Sequence, residues 1–266
     1  MKIALCLSGQ PRNALLTAPV IKKLIIEYNQ NKGHQVDVFM HMHYDPDSQY
    51  IEKTHLDSGR CYLDKDVDEK LKEIYHPKMC YVEKPRNFNI PSFKIPEDRY
   101  KRSMELNAHR YMTREQHRDH TVKQLTSMYY SIFRCNDLKE MYATSNGFEY
   151  DYVIRLRYDA YPLSALDFEK LNIDDSHIHY QEMKQPDNLI SDWIGIGSNT
   201  IMNVYSSIFW YMKYLNSFQF YKKNERQKNT IDDSDECGGL AEHMLRDIMW
   251  KLGIPKKSIN IGMKLM

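Results

Sequence analysis

Lys2-Ile3-Ala4-Leu5-Cys6-Leu7, closed by Ser8-Gly9-Gln10-Pro11-Arg12, and Gln35-Val36-Asp37-Val38-Phe39-Met40-His41-Met42-His43 are the two stretches on which the fold turns. The first is a short apolar run that ends in turn residues, as a buried strand does. The second is strand-like along its length. Between them Val20, Ile21, Leu24, Ile25 and Tyr28 share one helical stripe, and Pro19 is expected to open that helix. Strand, helix, strand at this spacing is a βαβ unit, which implies a parallel sheet with a right-handed crossover.

Downstream, Asp66 is expected to start a helix carrying Val67, Leu71, Ile74 and Tyr75, and residues 78–83 form a third strand. Pro85, Pro91 and Pro96 punctuate a long loop too rich in proline to be helical. A long helix is predicted over 119–142, strands over 151–157 and 177–183, and a loop with a short strand over 190–198. A helix over 199–215, a polar surface loop over 216–235 and a last helix over 238–252, closed by Gly253 and Pro255, complete the reading. There is no internal repeat and no convincing boundary within residues 1–266. The order of elements suits one three-layer α/β domain.

Bulk properties narrow the class. A chain of 266 residues, 42% hydrophobic and 27% charged, can bury a full core without staples. The formal charge of +1 gives no basic excess of the kind that nucleic-acid binding uses. Five scattered cysteines without a CxxC pair suggest neither a zinc module nor a disulfide framework, so a reducing compartment is the default. The apolar run at the N-terminus is too short for a signal peptide, and no stretch reaches the ~18 apolar residues of a membrane span. A cytoplasmic protein is expected, with peripheral membrane contact left open. The twenty tyrosines offer stacking surfaces, but genome composition explains such a count equally well.

The chemistry concentrates in Asp151-Tyr152-Val153-Ile154-Arg155-Leu156-Arg157-Tyr158-Asp159. Alternation puts Ile154, Leu156 and Tyr158 on one side of the strand and Arg155, Arg157 and Asp159 on the other. Central strands of parallel sheets are usually apolar on both faces, so these charges need partners. Either protein carboxylates or a bound anion would serve. A diphosphate with a divalent cation satisfies the set, since guanidinium forks match phosphate oxygens and a carboxylate holds Mg²⁺ or Mn²⁺.

KIALCLSGQPR at the start, Asp37-Val38-Phe39 in a strand that ends in histidine, Gln124 with Tyr129-Tyr130-Ser131 on the long helix, and YDYVIRLRYDAYP together resemble a group of glycosyltransferases. These are found in large DNA viruses and in bacterial surface-polysaccharide clusters. The likeness runs from residue 2 to about 200 and rests on the order and spacing of short motifs. It implies the GT-A fold, a Rossmann-like, mostly parallel mixed sheet flanked by helices, with a nucleotide-binding half over about 1–160 and an acceptor half over about 161–266. It also implies transfer of a sugar from a nucleoside-diphosphate donor to a glycan hydroxyl. The Asp-x-Asp motif of such enzymes is matched by Arg157-Tyr158-Asp159. Asp159 is then the expected ligand of Mn²⁺ or Mg²⁺, and the arginine in the first position leaves metal dependence open.

The other candidates follow from the residues. Ser8, Gly9, Gln10 and Arg12 follow the first strand; Gly9 lets a ligand approach the backbone, and Arg12 is placed to reach a phosphate. The turn is neither a Walker A loop nor GxGxxG. Trp193 offers a flat face to a sugar ring, and Asp192 is the candidate general base, with Glu182 and Glu242 weaker choices. Gln124 is a candidate nucleotide contact. His41, His43, Asp45 and Asp47 support a rival reading, a metal-dependent hydrolase, although spacing identifies no third zinc ligand. A non-catalytic nucleotide- or glycan-binding relative is the remaining alternative.

Overall fold

In the computed structural model, residues 1–48, 50–52, 60–88, 113–181, 190–211, 245, 249 and 252–266 are described. The βαβ unit forms as read. Strand β1 (Lys2–Gly9) pairs in parallel with β2 (Gln35–His43), Lys2 opposite Gln35 and Gly9 opposite Met42. The connecting helix differs in detail. Helix α1 (Ala14–Ile21) starts before Pro19, which therefore lies inside it. Proline cannot donate to the preceding turn, and directly afterwards the helix widens to the π pattern over Lys22–Glu27 before a last turn, α2 (Tyr28–Asn31). Its stripe was legible because the apolar spacing survives that change.

Next come a short antiparallel pair, β3 (Tyr50–Glu52) with β4 (Arg60–Tyr62), then helix α3 (Val67–Tyr75) and strand β5 (Met79–Glu83) on the outer side of β2. The long helix, α4 (Arg114–Ser145), begins earlier than the predicted start at residue 119. Thr113 caps it by accepting from the Gln116 N–H, and the Gln116 side chain accepts from the Thr113 N–H. This capping box is written in the sequence as Thr-x-x-Gln.

Strand β6 (Tyr152–Leu156) returns to the other side of β1, in parallel. Then follow β7 (Ala160–Pro162), β8 (Ile178–Gln181), β9 (Ile194–Ser198), and helices α5 (Asn199–Ser206) and α6 (Ile208–Tyr211). Of the predicted final helix Leu245 and Met249 are described as helical and buried and Leu252 as a turn; the predicted loop over 216–235 lies outside the described residues. The closing strands went unread. Strand β10 (Lys256–Ile259) adds to the free edge of β8, and β11 (Met263–Leu265) pairs with β7. Both are short with mixed exposure, so neither shows the apolar run of a central strand.

The main sheet has seven strands in the order β10-β8-β9-β6-β1-β2-β5, and only β9 runs against the others. It is an α/β, mostly parallel mixed sheet flanked by helices, a Rossmann-like arrangement. Ile3, Leu5 and Leu7 of β1 join Val38, Met40, Ile154 and Leu156 beneath α1 and α3. Ala4 and Cys6 join Phe39 and Val153 beneath α4 and α5. Among the described residues no helix is long and apolar enough to cross a membrane.

Helix α5 packs over Gly195 and Gly197 of β9. A Cβ on Gly197 would stand 2.5 Å from the Ile201 side chain and 3.2 Å from the His177 carbonyl. The atom is a γ-methyl of a β-branched residue on a helix, whose χ1 is nearly fixed, and the carbonyl belongs to the backbone. Gly197→Ala is expected to lower stability by about 1–3 kcal/mol, the usual cost of overpacking, measured by urea unfolding.

Candidate functional site

The chain leaves β1 for β2 and β5 on one side, then comes back to place β6 on the other. The crevice beyond the carboxyl ends of β1 and β6 is therefore the topological switch point of the sheet, where open α/β sheets hold ligands. Because β9 is antiparallel to β6, its entry lies at the same end, and the Arg157 N–H donates to the Trp193 carbonyl at 3.1 Å. Topology thus joins three stretches far apart in sequence: Ser8 to Arg12, Arg155 to Asp159, and Asp192 with Trp193.

The predicted facing of β6 holds. Ile154, Leu156 and Tyr158 lie in the core beneath α1. Arg157, on the opposite face, grips Asp159 with both arms of its fork, Nε to Oδ1 and Nη2 to Oδ2, each at 2.8 Å. Its Nη1 donates to Asp192 Oδ2 at 3.0 Å. The group keeps 20% of its side-chain surface exposed, so it is half-buried and reachable. Burial pulls its pKa down, but the charges of Asp192 and Asp159 outweigh burial and raise it.

Arg155 is buried. It donates through Nε to Ser8 Oγ at 3.4 Å and through Nη1 to the backbone carbonyl of Asp192. Arg155 and Ser8 thus tie the end of β1 to the entry of β9, and the buried Ser8 hydroxyl accepts from the arginine.

Arg12 is held by Gln10, whose Oε1 accepts from both Nε, at 2.9 Å, and Nη2. Burial first, and then the nearby Arg157 charge, lower its pKa, while Asp159, Cys61 and Asp192 act the other way. Among the described residues neither Arg12 nor Arg155 has a carboxylate within ion-pair distance. Gly9 has φ +122°, a conformation that side chains rarely adopt, and among the described residues a Cβ there would meet nothing within 4 Å. The open space above it leaves the backbone approachable.

Three features steady the crevice that sequence reasoning did not single out. Thr17 Oγ1 donates to the Tyr158 carbonyl and locks α1 to the turn after β6. The Asn13 side chain, on a left-handed backbone, donates to the Met266 carbonyl at 2.7 Å, and the Met266 N–H donates to the Asp159 carbonyl at 2.9 Å. Cys61 of β4 donates to Asn13 Oδ1 at 3.4 Å. Only the unusual local conformation of Asn13 has a sequence correlate, the tolerance of asparagine for the left-handed region.

The remaining candidates separate. Trp193 is half-buried and packs against the core on the α1 side, so part of its ring is already covered. Helix α4 runs against β2: Cys135 lies under the Leu7 and Phe39 carbonyls, Ser131 at His41 and Ser127 at His43. Gln124 lies about one turn further, past the carboxyl end of β2. Glu182 and Glu242 fall outside the described residues.

The histidine pair is built as a support, not as a ligand set. His41 Nδ1 is 2.7 Å from Ser131 Oγ and its Nε2 is 3.0 Å from Glu83 Oε1. His43 Nε2 accepts from the Arg86 N–H at 3.0 Å, so the neutral ring donates through Nδ1 to Ser127 Oγ at 2.6 Å. Each ring nitrogen has a partner. Asp45 and Asp47 both pair with Lys84, at 3.0 and 2.6 Å. The hydrolase reading loses its ligands here.

A cation also fits poorly at Asp159, where both carboxylate oxygens are engaged by Arg157. Among the described residues no group of three or more His, Cys, Asp or Glu side chains is placed to hold a metal ion. The expected Mn²⁺ or Mg²⁺ is therefore not matched by the donor set.

Models of protein families give no match to the chain, and comparison with curated proteins gives no significant match.

Proposed function

We propose that this chain is a GT-A-like glycosyltransferase that takes a nucleoside-diphosphate sugar as donor and a glycan hydroxyl as acceptor. One observation carries the reading: Arg12, Arg155 and Arg157 converge on the switch point, and among the described residues Asp159 and Asp192 are the carboxylates that balance them. The site keeps a positive excess beside an open glycine backbone, which suits a diphosphate. In the reaction the acceptor oxygen bonds to the anomeric carbon, the bond from that carbon to the diphosphate breaks, and the electron pair leaves with the phosphate. Arg12 and Arg157 lie where that charge would collect, and prealigned cations there lower the barrier. For an inverting course, Asp192 is the base that takes the acceptor's proton.

A second reading is favoured by one feature. Both carboxylates at the site are engaged by Arg157, which suits a binding protein of the same fold without catalysis. Release of free sugar from a donor by the purified chain separates the two.

The test of the ligand class is calorimetric titration with UDP, GDP and their sugar conjugates. Arg12→Ala should weaken binding by about tenfold to a hundredfold, the loss of a charge-assisted contact worth about 1.5–3 kcal/mol. Its unfolding midpoint should stay close to that of the wild type, because Arg12 bonds only to a neighbouring glutamine among the described residues. Absence of any nucleotide binding by the wild-type chain rejects the proposal.

A further inference from the structure

We infer that the diphosphate is held without a divalent cation, its charge balanced by arginine alone. The inference rests on the nucleotide reading above and concerns how that same site works. Among the described residues Asp159 is the carboxylate at the end of β6, and the fork of Arg157 closes on both its oxygens at 2.8 Å. Asp192, the other carboxylate, gives Oδ2 to the same guanidinium at 3.0 Å. A metal entering here would have to displace Arg157 from at least one of them.

It would also have to sit among like charges. Arg157 lies between the two carboxylates, Arg12 is close enough to feel its field, and Arg155 is anchored just beneath on Ser8 and the Asp192 carbonyl. Mg²⁺ demands near-octahedral oxygen ligation, and Mn²⁺ likewise favours carboxylate, carbonyl and water oxygens. The switch point supplies guanidinium groups instead. These recognise phosphate oxygens directly and in pairs. Where a cation would bridge carboxylate and diphosphate, Arg157 already carries the positive charge, positioned by the same two aspartates.

The experiment is calorimetric titration of the full chain with UDP, GDP and inorganic pyrophosphate, once in excess EDTA and once each in excess MnCl₂ and MgCl₂. The expected result is saturable binding in EDTA, with dissociation constants within about threefold across the three conditions. Tightening by tenfold or more on adding either metal, or binding only in its presence, overturns the inference and leaves the nucleotide reading standing. Failure to bind under all conditions overturns both. Because the wild-type chain is used throughout, no outcome depends on whether a variant folds.

Discussion

Arg157→Ala is expected to weaken nucleoside-diphosphate binding by more than about a hundredfold and to lower the unfolding free energy by about 2–3 kcal/mol. The binding loss has two sources. The guanidinium contact with phosphate disappears, and the charge balance falls from three cations against two anions to two against two, which removes the positive excess. A single charge-assisted hydrogen bond is worth about 1.5–3 kcal/mol, so one such contact from a remaining guanidinium N–H together with the lost field exceeds that range. The stability loss arises because Asp159 and Asp192 remain nearly buried without their shared partner. Removing one member of a buried ion pair costs about 3–5 kcal/mol; the partial exposure of Arg157 lets water screen part of it, hence the lower figure. Arg157→Lys keeps the charge and loses the fork, so it should fall between wild type and alanine in both measurements. Urea unfolding with calorimetry reads both quantities. An unchanged midpoint for the alanine variant would mean that the carboxylates are not held as described.

Acidification is the second large effect. Burial of the His41 ring lowers its pKa to about 4, from an ordinary 6.5, against the opposing pull of Glu83. In the folded state the ring is thus neutral at pH 5, whereas in the unfolded chain it takes up a proton below about 6.5. The unfolded state therefore binds more protons, and stability falls as pH drops from about 6.5 to about 4. A difference of about 2.5 units corresponds to about 3 kcal/mol once pH lies below the folded value. His43 is shifted in the same direction by burial and the nearby Arg86, so it steepens the fall. Among the described residues the groups facing the pair are Glu83, Ser131, Ser127, Tyr130, Tyr81, Arg86 and Arg134. Urea unfolding between pH 7.5 and 4.5 should show this slope, and His41→Gln should flatten it. An identical slope in the variant would assign the acid sensitivity to other groups.

These two expectations sit on residues that the sequence marked with unequal clarity. Arg155 and Arg157 were legible as a charged face because alternation along a strand is a local rule; β6 ends at Leu156, and Asp159 joins that face from the turn that follows, through the fork of Arg157. Ser8 was legible as part of a turn, but its task was not: support of Arg155 requires β1 and β6 to be neighbours, which local spacing does not state. His41 and His43 looked like ligands because alternate strand residues share a side. Their partners Ser131, Ser127 and Glu83 arrive from α4 and β5, and only after those contacts exist are the rings seen to be engaged. Gln10 shows the same limit on a smaller scale, since a turn residue became the holder of Arg12. The strands at the end of the chain were missed for another reason: edge strands need no apolar run, and both gain their place from a partner strand already set.

By itself the sequence determined the βαβ start, the α/β class, the presence of the long helix and the facing of each side chain on β6. All of these follow from periodicity within one element or between adjacent ones. Tertiary structure alone decided that β6 lies beside β1, that β9 enters from the opposite direction, and that Arg157 is shared between Asp159 and Asp192. Pairing of Arg157 with Asp192 depends on a distance of 3.0 Å between residues 35 positions apart, and that distance is fixed by the antiparallel pairing of β9 with β6 rather than by spacing along the chain.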